Sequence, residues 1–317
     1  MKIVFMGTPP FAATVLQRLI DVGHDVALVV SQPDSRVGRK KELVMTAVKQ
    51  VAIKNEIPTF QPVRVKKEHQ EILDVNPDII ITAAYGQIIP QPLLDAPRLG
   101  CINVHASLLP KYRGGAPIHQ AIIDGEAETG VTIMYMDLSM DTGDIITQAS
   151  MTITDEDNVG TVFEKLSHIG SDLLLETLPT IQAGTNPRTP QVEEDATYAY
   201  IIKREDEWVD WKRPARGVFN QIRGLNPWPT AYTKVTIPGV ELFVKVFTSQ
   251  ELDAASPLEP GTIANTTKEG IDVVCGDGKL LRVLELQLAG KRRMPIRDLL
   301  NGDHPFKVGT KLGGDGF

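Results

Sequence analysis

Three side chains near the middle of this 317-residue chain have the types needed for acyl transfer without a protein nucleophile. They are the amide of Asn103, the imidazole of His105 and a carboxylate in Asp141-Thr142-Gly143-Asp144. Asn103 and His105 stand at i and i+2 directly after an apolar run, and on a strand that spacing puts both on one side. A polar pair there is costly to bury without partners. Asn103 suits donation to a developing oxyanion. His105 suits a hydrogen bond to the same centre or a proton transfer. The carboxylate would support the imidazole and help shuttle the proton. From the pattern alone Asp141 and Asp144 are equal candidates.

Other chemistries fit these residues less well. Ser107 lies close to His105, but Ser107-Leu108-Leu109-Pro110 lacks the glycine elbow of a serine hydrolase. A metal would need more ligands than the neighbourhood offers, since His119 falls on a predicted helix and Cys101 within a strand. The turn Gly7-Thr8-Pro9-Pro10-Phe11 sits where a dinucleotide could bind. It lacks the Gly-x-Gly-x-x-Gly pattern, and its prolines remove N–H donors, so it reads instead as a wall of a ligand cleft. The segment Tyr85-Gly86-Gln87-Ile88-Ile89-Pro90 could offer its backbone to the edge of a flat heterocycle, with Ile88 and Ile89 alongside. An ordinary strand-to-helix loop is an equally good reading of that segment.

Elements that could position these residues alternate through the first half. Strands are predicted at 2–6, 26–31, 78–83, 100–104 and 131–136. Helices are predicted at 11–22, 43–55, 66–75, 116–124 and 158–183. This alternation indicates an α/β domain, a Rossmann-like and mainly parallel sheet with helices on both faces. Ligands of such sheets bind beyond the carboxyl ends of strands, where Asn103 and His105 fall; the aspartates follow another strand. The Pro-rich stretch 184–191 and the acidic residues after it mark a boundary. Beyond residue 206, strand-like runs at 230–237, 241–248, 261–264, 271–275 and 280–288 alternate with Gly and Pro turns, which predicts a small OB-like β-barrel. The expected organisation is a catalytic domain over 1–188, a linker over 189–206 and a barrel over 207–317.

The composition, 42% apolar and 23% charged, is that of a globular protein. No run of about 18 apolar residues predicts a membrane span. The first residues read as a buried strand rather than a signal peptide. Two cysteines make a disulfide framework improbable and fit a reducing, cytoplasmic setting. The net charge of −7 argues against indiscriminate nucleic-acid binding, but it is split unevenly, with −9 over residues 1–202 and +2 over 203–317. Arg36, Arg39, Lys40 and Lys41 form one basic cluster. Lys212, Arg213 and Arg216 form a second, and Lys291, Arg292, Arg293 and Arg297 a third. Together they suggest a local polyanion footprint.

The run Asn103-x-His105-x-Ser107-Leu108-Leu109-Pro110-x-Tyr112-Arg113-Gly114, with Asp141 placed 36 positions after His105, resembles the folate-dependent formyltransferases. Gly7–Ala12, Tyr85-Gly86 and Leu225–Pro229 resemble the members that act on an aminoacyl-tRNA. The likeness runs almost end to end. It implies 10-formyltetrahydrofolate as formyl donor and the α-amino group of methionyl initiator tRNA as acceptor, with no metal. It implies Asn103, His105 and Asp141 as the catalytic set, with Asp144 only a neighbour. It assigns Ser107, Leu108, Leu109 and Pro110 to folate contact, and Tyr85, Gly86, Gln87, Ile88 and Ile89 to the pterin-side wall. The loop 34–41 corresponds to the segment that reaches the tRNA acceptor end. Its basic character is kept, although Ser35 and Val37 depart from the usual loop. Lys212, Arg213, Lys291, Arg292 and Arg293 are expected to track tRNA phosphates. A monomer is expected. Three rivals stay open: a formyltransferase for a small amine, a 10-formyltetrahydrofolate hydrolase, and a tRNA-binding module with a dead cleft.

Overall fold

The apolar runs of the first half become the centre of a seven-stranded sheet in this computed structural model, which describes residues 1–38, 41–237, 240–302 and 304–314. In chain order the elements are β1 (Lys2–Gly7), α1 (Pro10–Asp21), β2 (Asp25–Val30), β3 (Ser35–Val37), β4 (Glu42–Val44), α2 (Ala47–Lys54), β5 (Thr59–Phe60), α3 (Gln70–Asp74) and β6 (Ile79–Ala83). Then follow α4 (Gln91–Asp95), β7 (Cys101–His105), α5 (Pro117–Asp124), β8 (Glu128–Tyr135), β9 (Ile145–Thr152) and α6 (Val159–Ala183). The strand order is β5-β2-β1-β6-β7-β8-β9. Pairing is parallel from β5 to β7, and β8 runs antiparallel to both neighbours. β1 beyond Lys2 and all of β6 are buried on both faces, which is why they read as unbroken apolar runs.

β7 sorts its side chains by alternation. Cys101 packs with Ile80, Ile89 and Leu93 on one face, and Asn103 and His105 share that face. Val104 points the other way, toward Gly170 of α6, where an added Cβ would come within 3.0 Å of it. The first turn has a packing explanation too: a Cβ on Gly7 would lie 2.5 Å from the Ala12 Cβ and 2.8 Å from the Ala83 carbonyl. That glycine lets β1, β6 and the start of α1 approach one another.

The structure corrects the predicted helix over 43–55. Leu43 and Val44 belong to a β3–β4 hairpin, and α2 starts only after Thr46, whose hydroxyl accepts from the Lys49 N–H at 3.2 Å. β9 and α4 match no predicted element. Beyond Ile146, its one buried residue, β9 alternates half-buried and exposed positions, so it carries no long apolar run.

The remaining elements are α7 (Ala215–Gly224), β10 (Ala231–Ile237), β11 (Val240–Ala255), β12 (Ile263–Thr266), β13 (Ile271–Val274), β14 (Lys279–Leu288), β15 (Met294–Pro295) and α8 (Ile296–Leu300). They form an antiparallel sheet in the order β10-β11-β14-β13-β12, with β15 beside β14. Val218 and Ile222 of α7 join Trp211, Val244, Val273, Leu281 and Phe306 in its core. Residues 309–313 tie the two edges together. Gly313 N–H donates to Lys234 of β10, and Thr310 accepts from Ile263 of β12. The expected barrel is thus closed by a segment that no apolar run announces.

The chain divides into two compact units. The first is Met1–Pro117, Glu128–Thr152 and Phe163–Tyr200; the second is Ile118–Ala127, Ile153–Val162 and Ile201–Phe317. Residues 189–200 of the expected linker thus lie in the first unit. No described helix is long and apolar enough to cross a membrane.

Candidate active site

Asn103, His105 and Asp141 come together in the first unit. Thr82, on the neighbouring strand β6, donates its hydroxyl to Asn103 Oδ1 at 2.8 Å, which turns the amide N–H pair away from Thr82. His105 Nε2 lies 3.0 Å from the Tyr112 carbonyl. A carbonyl only accepts, so Nε2 carries hydrogen and Nδ1 is the nitrogen left to face the site. Nδ1 faces Asp141 Oδ2 at 3.7 Å, and the same oxygen accepts from the Gly114 N–H at 2.8 Å. Asp144 is turned elsewhere, paired with Arg188 at 3.0 Å. The geometry therefore separates the two aspartates that the sequence pattern leaves equal.

Asp141 does not reach this place by lying at the same sheet end as His105. β8 is antiparallel, so its last residue, Tyr135, pairs with Ile102, while His105 pairs with Thr132. The β8–β9 loop has to return along the sheet to bring Asp141 to the imidazole. That return uses a left-handed backbone at Asp141, φ 55°, and Tyr112 is similarly left-handed at φ 60°. Both are non-glycine residues and both face the imidazole, and such strain gathers where a fold over-determines a site.

Ser107, Leu108, Leu109 and Pro110 follow β7. Ser107 is buried, with its hydroxyl on the Lys111 carbonyl at 2.7 Å, and Thr132 donates to the Ser107 carbonyl at 2.6 Å. Leu109 N–H donates to Thr132 Oγ1 at 3.1 Å, and Gln148 holds the Leu109 carbonyl at 2.9 Å. The Leu109–Pro110 peptide is cis. The Ser107 hydroxyl is thus committed to the loop itself.

The 85–89 segment splits between core and surface. The Tyr85 side chain is buried in the core with Val4, Ile72 and Leu93, so only its backbone can meet a ligand. Burial pushes its phenol up to about 12, with the Glu68 charge adding to the effect. Its carbonyl accepts from Thr8 Oγ1 and Gln32 Nε2, both at 3.1 Å. Gly86 takes φ 89°, and the Gln87 side chain accepts from the Val65 N–H at 2.8 Å. Ile89 is buried, whereas Ile88 is 80% exposed. Ile88, Ile89, Pro90 and Leu138 line a cavity of about 420 Å³, with Lys66 and His69 also on its wall. Leu138, from the β8–β9 loop, has no signal in the sequence.

Of the basic residues, Arg36 and Lys41 are exposed, and the Arg36 guanidinium donates to the Lys41 carbonyl at 3.2 Å. Arg39 and Lys40 lie outside the described residues. The hairpin base is held by Asp34, which pairs with Lys49 at 2.6 Å and accepts from Gln61 at 2.8 Å. Hydrogen bonds from Lys49 and Gln61 hold the Asp34 carboxyl below its ordinary value. In the second unit, Lys212 and Arg213 lie beside Gly276, ahead of β14, and Gly276 donates to the Arg213 carbonyl at 2.9 Å. Lys291, Arg292 and Arg293 are exposed beyond its other end. The two clusters are therefore separated by the length of a ten-residue strand. Arg293 already pairs with Glu285 and covers the Phe247 ring at 4.1 Å.

Thr82 and Gln191 escape a reading of the sequence, and Arg113 and Gly114 enter it only as parts of a motif, with no role for the buried guanidinium or the Gly114 N–H. Thr82 has a signal, as the one polar residue in Ile79-Ile80-Ile81-Thr82-Ala83. Gln191 has none, because its partners lie about 50 and 80 positions away.

A parallel-dominated sheet with an amide, an imidazole and a carboxylate on one face, followed by a small barrel, is the architecture of a formyl transferase. Residues 1–178 match the family model described as "Formyl transferase", and residues 201–304 match "Formyl transferase, C-terminal domain". The chain is 51% identical over 313 residues to methionyl-tRNA formyltransferase of Staphylococcus aureus (strain bovine RF122 / ET3-1), covering 98% of this chain and 99% of that protein, and equally similar to the protein of strain MW2. It belongs to the methionyl-tRNA formyltransferase family. Its fold is shared with an N-formyltransferase of Helicobacter canadensis solved with folinic acid and dTDP-3-aminofucose, at TM-score 0.66 and 19% identity over 89% of this chain and 98% of that one. It is also shared with HypX of Aquifex aeolicus in complex with tetrahydrofolic acid, at TM-score 0.64 and 18% identity over 98% of this chain and 50% of that one.

Proposed function

We propose that this chain transfers the formyl group of 10-formyltetrahydrofolate to the α-amino group of methionyl initiator tRNA. The observation that carries the reading is the Asn103, His105 and Asp141 arrangement in a chain 51% identical, end to end, to methionyl-tRNA formyltransferases. The residues present fit the donor: the cavity beside Ile88, Ile89 and Leu138 offers an apolar wall for a flat ring, and Lys66 suits a carboxylate. Bound there, the folate supplies a formyl carbon activated toward a nitrogen nucleophile.

In this reading Asn103 donates an N–H to the charge that develops on the formyl oxygen. Tyr112 fixes the imidazole tautomer, so His105 works through Nδ1. Asp141 takes up the proton lost by the attacking amine, and that proton passes to N10 of the tetrahydrofolate as the carbon–N10 bond breaks; at 3.7 Å from His105 Nδ1, Asp141 meets the imidazole through a water. Most of the acceleration comes from holding two reactants together. The first unit, with residues 189–200 in it, acts as the catalytic part, and 207–317 as the RNA-binding part. Arg36, Arg39, Lys40 and Lys41 approach the acceptor end, and Lys212, Arg213, Lys291, Arg292 and Arg293 neutralise phosphates elsewhere on the tRNA. The enzyme works as a monomer, since one chain supplies the whole polar set, and in the cytoplasm, the setting that two unpaired cysteines fit.

The test is to mix the protein with labelled formyl donor and charged tRNAs, initiator and elongator methionyl-tRNA side by side. Formylation confined to the initiator is the expected result. Formate release without an acceptor would make it a hydrolase, and equal formylation of small amines would remove the tRNA from the reading.

A further inference from the structure

We infer that residues 191–199 form a strap that positions the catalytic pair, with Gln191 as the positioning residue for Asp141; the inference rests on the proposed function of that pair. The imidazole of His105 is met by two groups, the Tyr112 carbonyl and the Asp141 carboxylate. Both sit on left-handed backbone, at φ 60° and 55°. A non-glycine residue keeps that conformation only when its surroundings hold it there.

Both groups hang from the same short segment. Gln191 Nε2 donates to the carbonyls of Asp141 and Gly143, each at 2.8 Å, and so brackets the Thr142-Gly143 turn. Gln191 Oε1 accepts from Arg113 Nε at 3.0 Å. Arg113 is 1% exposed, and its guanidinium also pairs with Glu193 at 2.8 Å. At the other end, Thr197 Oγ1 accepts from the Tyr112 N–H at 2.9 Å. The Thr197 carbonyl accepts from the Arg113 N–H at 2.9 Å, and the Arg113 carbonyl from the Ala199 N–H at 2.7 Å. A carboxamide at 191 supplies two donor hydrogens toward two carbonyls and one acceptor toward a guanidinium. Glutamate would keep the Arg113 pairing and set an acceptor against two acceptors.

The test is a double-mutant cycle on single-turnover formyl transfer at saturating substrates. Wild-type transfer, which decides the proposed function, is established first. Q191M and Q191E are each expected to slow transfer by about 10- to 100-fold, with the tRNA KM within about twofold and Tm within a few degrees. In a D141N background Q191M should add less than about twofold, because its effect passes through Asp141. If Q191M costs the same factor in D141N as in wild type, or if Q191E transfers at the wild-type rate, the strap is overturned while the function stands. Should the Gln191 variants fail to fold, T197V probes the other end. It is expected to slow transfer by about 5- to 20-fold in wild type and to add nothing in H105N. An equal loss in both backgrounds would overturn the strap.

Discussion

His105 is the residue whose chemistry is most exposed to test. Replacing it with alanine removes Nδ1 and leaves Asp141 facing a gap, so single-turnover formyl transfer should fall by about 10²–10³ or more. Near-normal transfer would contradict the role. Tyr85 makes the opposite prediction. Its ring is buried and its hydroxyl has no hydrogen-bond partner among the described residues. Tyr85→Phe should therefore leave transfer unchanged and keep or raise stability by up to about 1 kcal/mol in urea denaturation; a loss of folate affinity would put the phenol in the site after all. The two cysteines add a pH signature. Burial pushes the Cys101 and Cys275 thiols up to about 12, with nearby carboxylates contributing. Above pH 9 the unfolded chain sheds thiol protons that the folded chain keeps. Stability should then fall by about 1.4 kcal/mol per pH unit per thiol between about pH 9 and 12. Urea denaturation across that range, with Cys101→Ala giving a shallower decline, checks it.

At the scale of elements, the β3–β4 hairpin and the β8–β9 loop explain why the sequence is only partly legible. β1 and β6 can be read because burial on both faces demands apolar runs. The hairpin cannot, because Leu43 and Val44 look like the start of an apolar helical stripe and only the Thr46 cap shows where α2 begins. Asn103 and His105 are legible because their i, i+2 spacing is local to one strand. Asp141 is legible only through resemblance: nothing local shows that β8 reverses, or that its loop doubles back to the imidazole. The hairpin's base carries a prediction of its own. Hydrogen bonds from Lys49 and Gln61 depress the Asp34 carboxyl. Its contribution is present above the unfolded value near 4 and is lost as pH falls through the folded value. Asp34→Asn should cost about 1 kcal/mol at neutral pH and nothing once both forms are uncharged in strong acid. A gap that persists at low pH would assign the effect to packing.

For the molecule as a whole, the closing segment and the charge distribution carry the expectations. Ending the chain at Val308 removes the residues that join β10 to β12 and uncovers Leu312's place in the core. The second unit should then melt well below the rest in calorimetry, and an unchanged single transition would show that the barrel closes without them. The basic residues are tested by filter binding. Replacing Lys291 and Arg292 by alanine should make the salt slope of tRNA affinity shallower by about one unit for each phosphate left without its cation. An unaltered slope would take those residues off the RNA. The interleaving of the two units has a further result. Residues 118–127 and 153–162 precede the expected boundary yet belong with the second unit, where His119 meets the Gly224 carbonyl at 2.8 Å and Arg223 reaches the carbonyls of Thr154 and Asp157. A gene cut at any single codon would leave orphaned pieces on the wrong side. A C-terminal piece begun at residue 201 would lack 118–127 and 153–162, and would leave the Gly224 carbonyl and the Arg223 guanidinium without these partners.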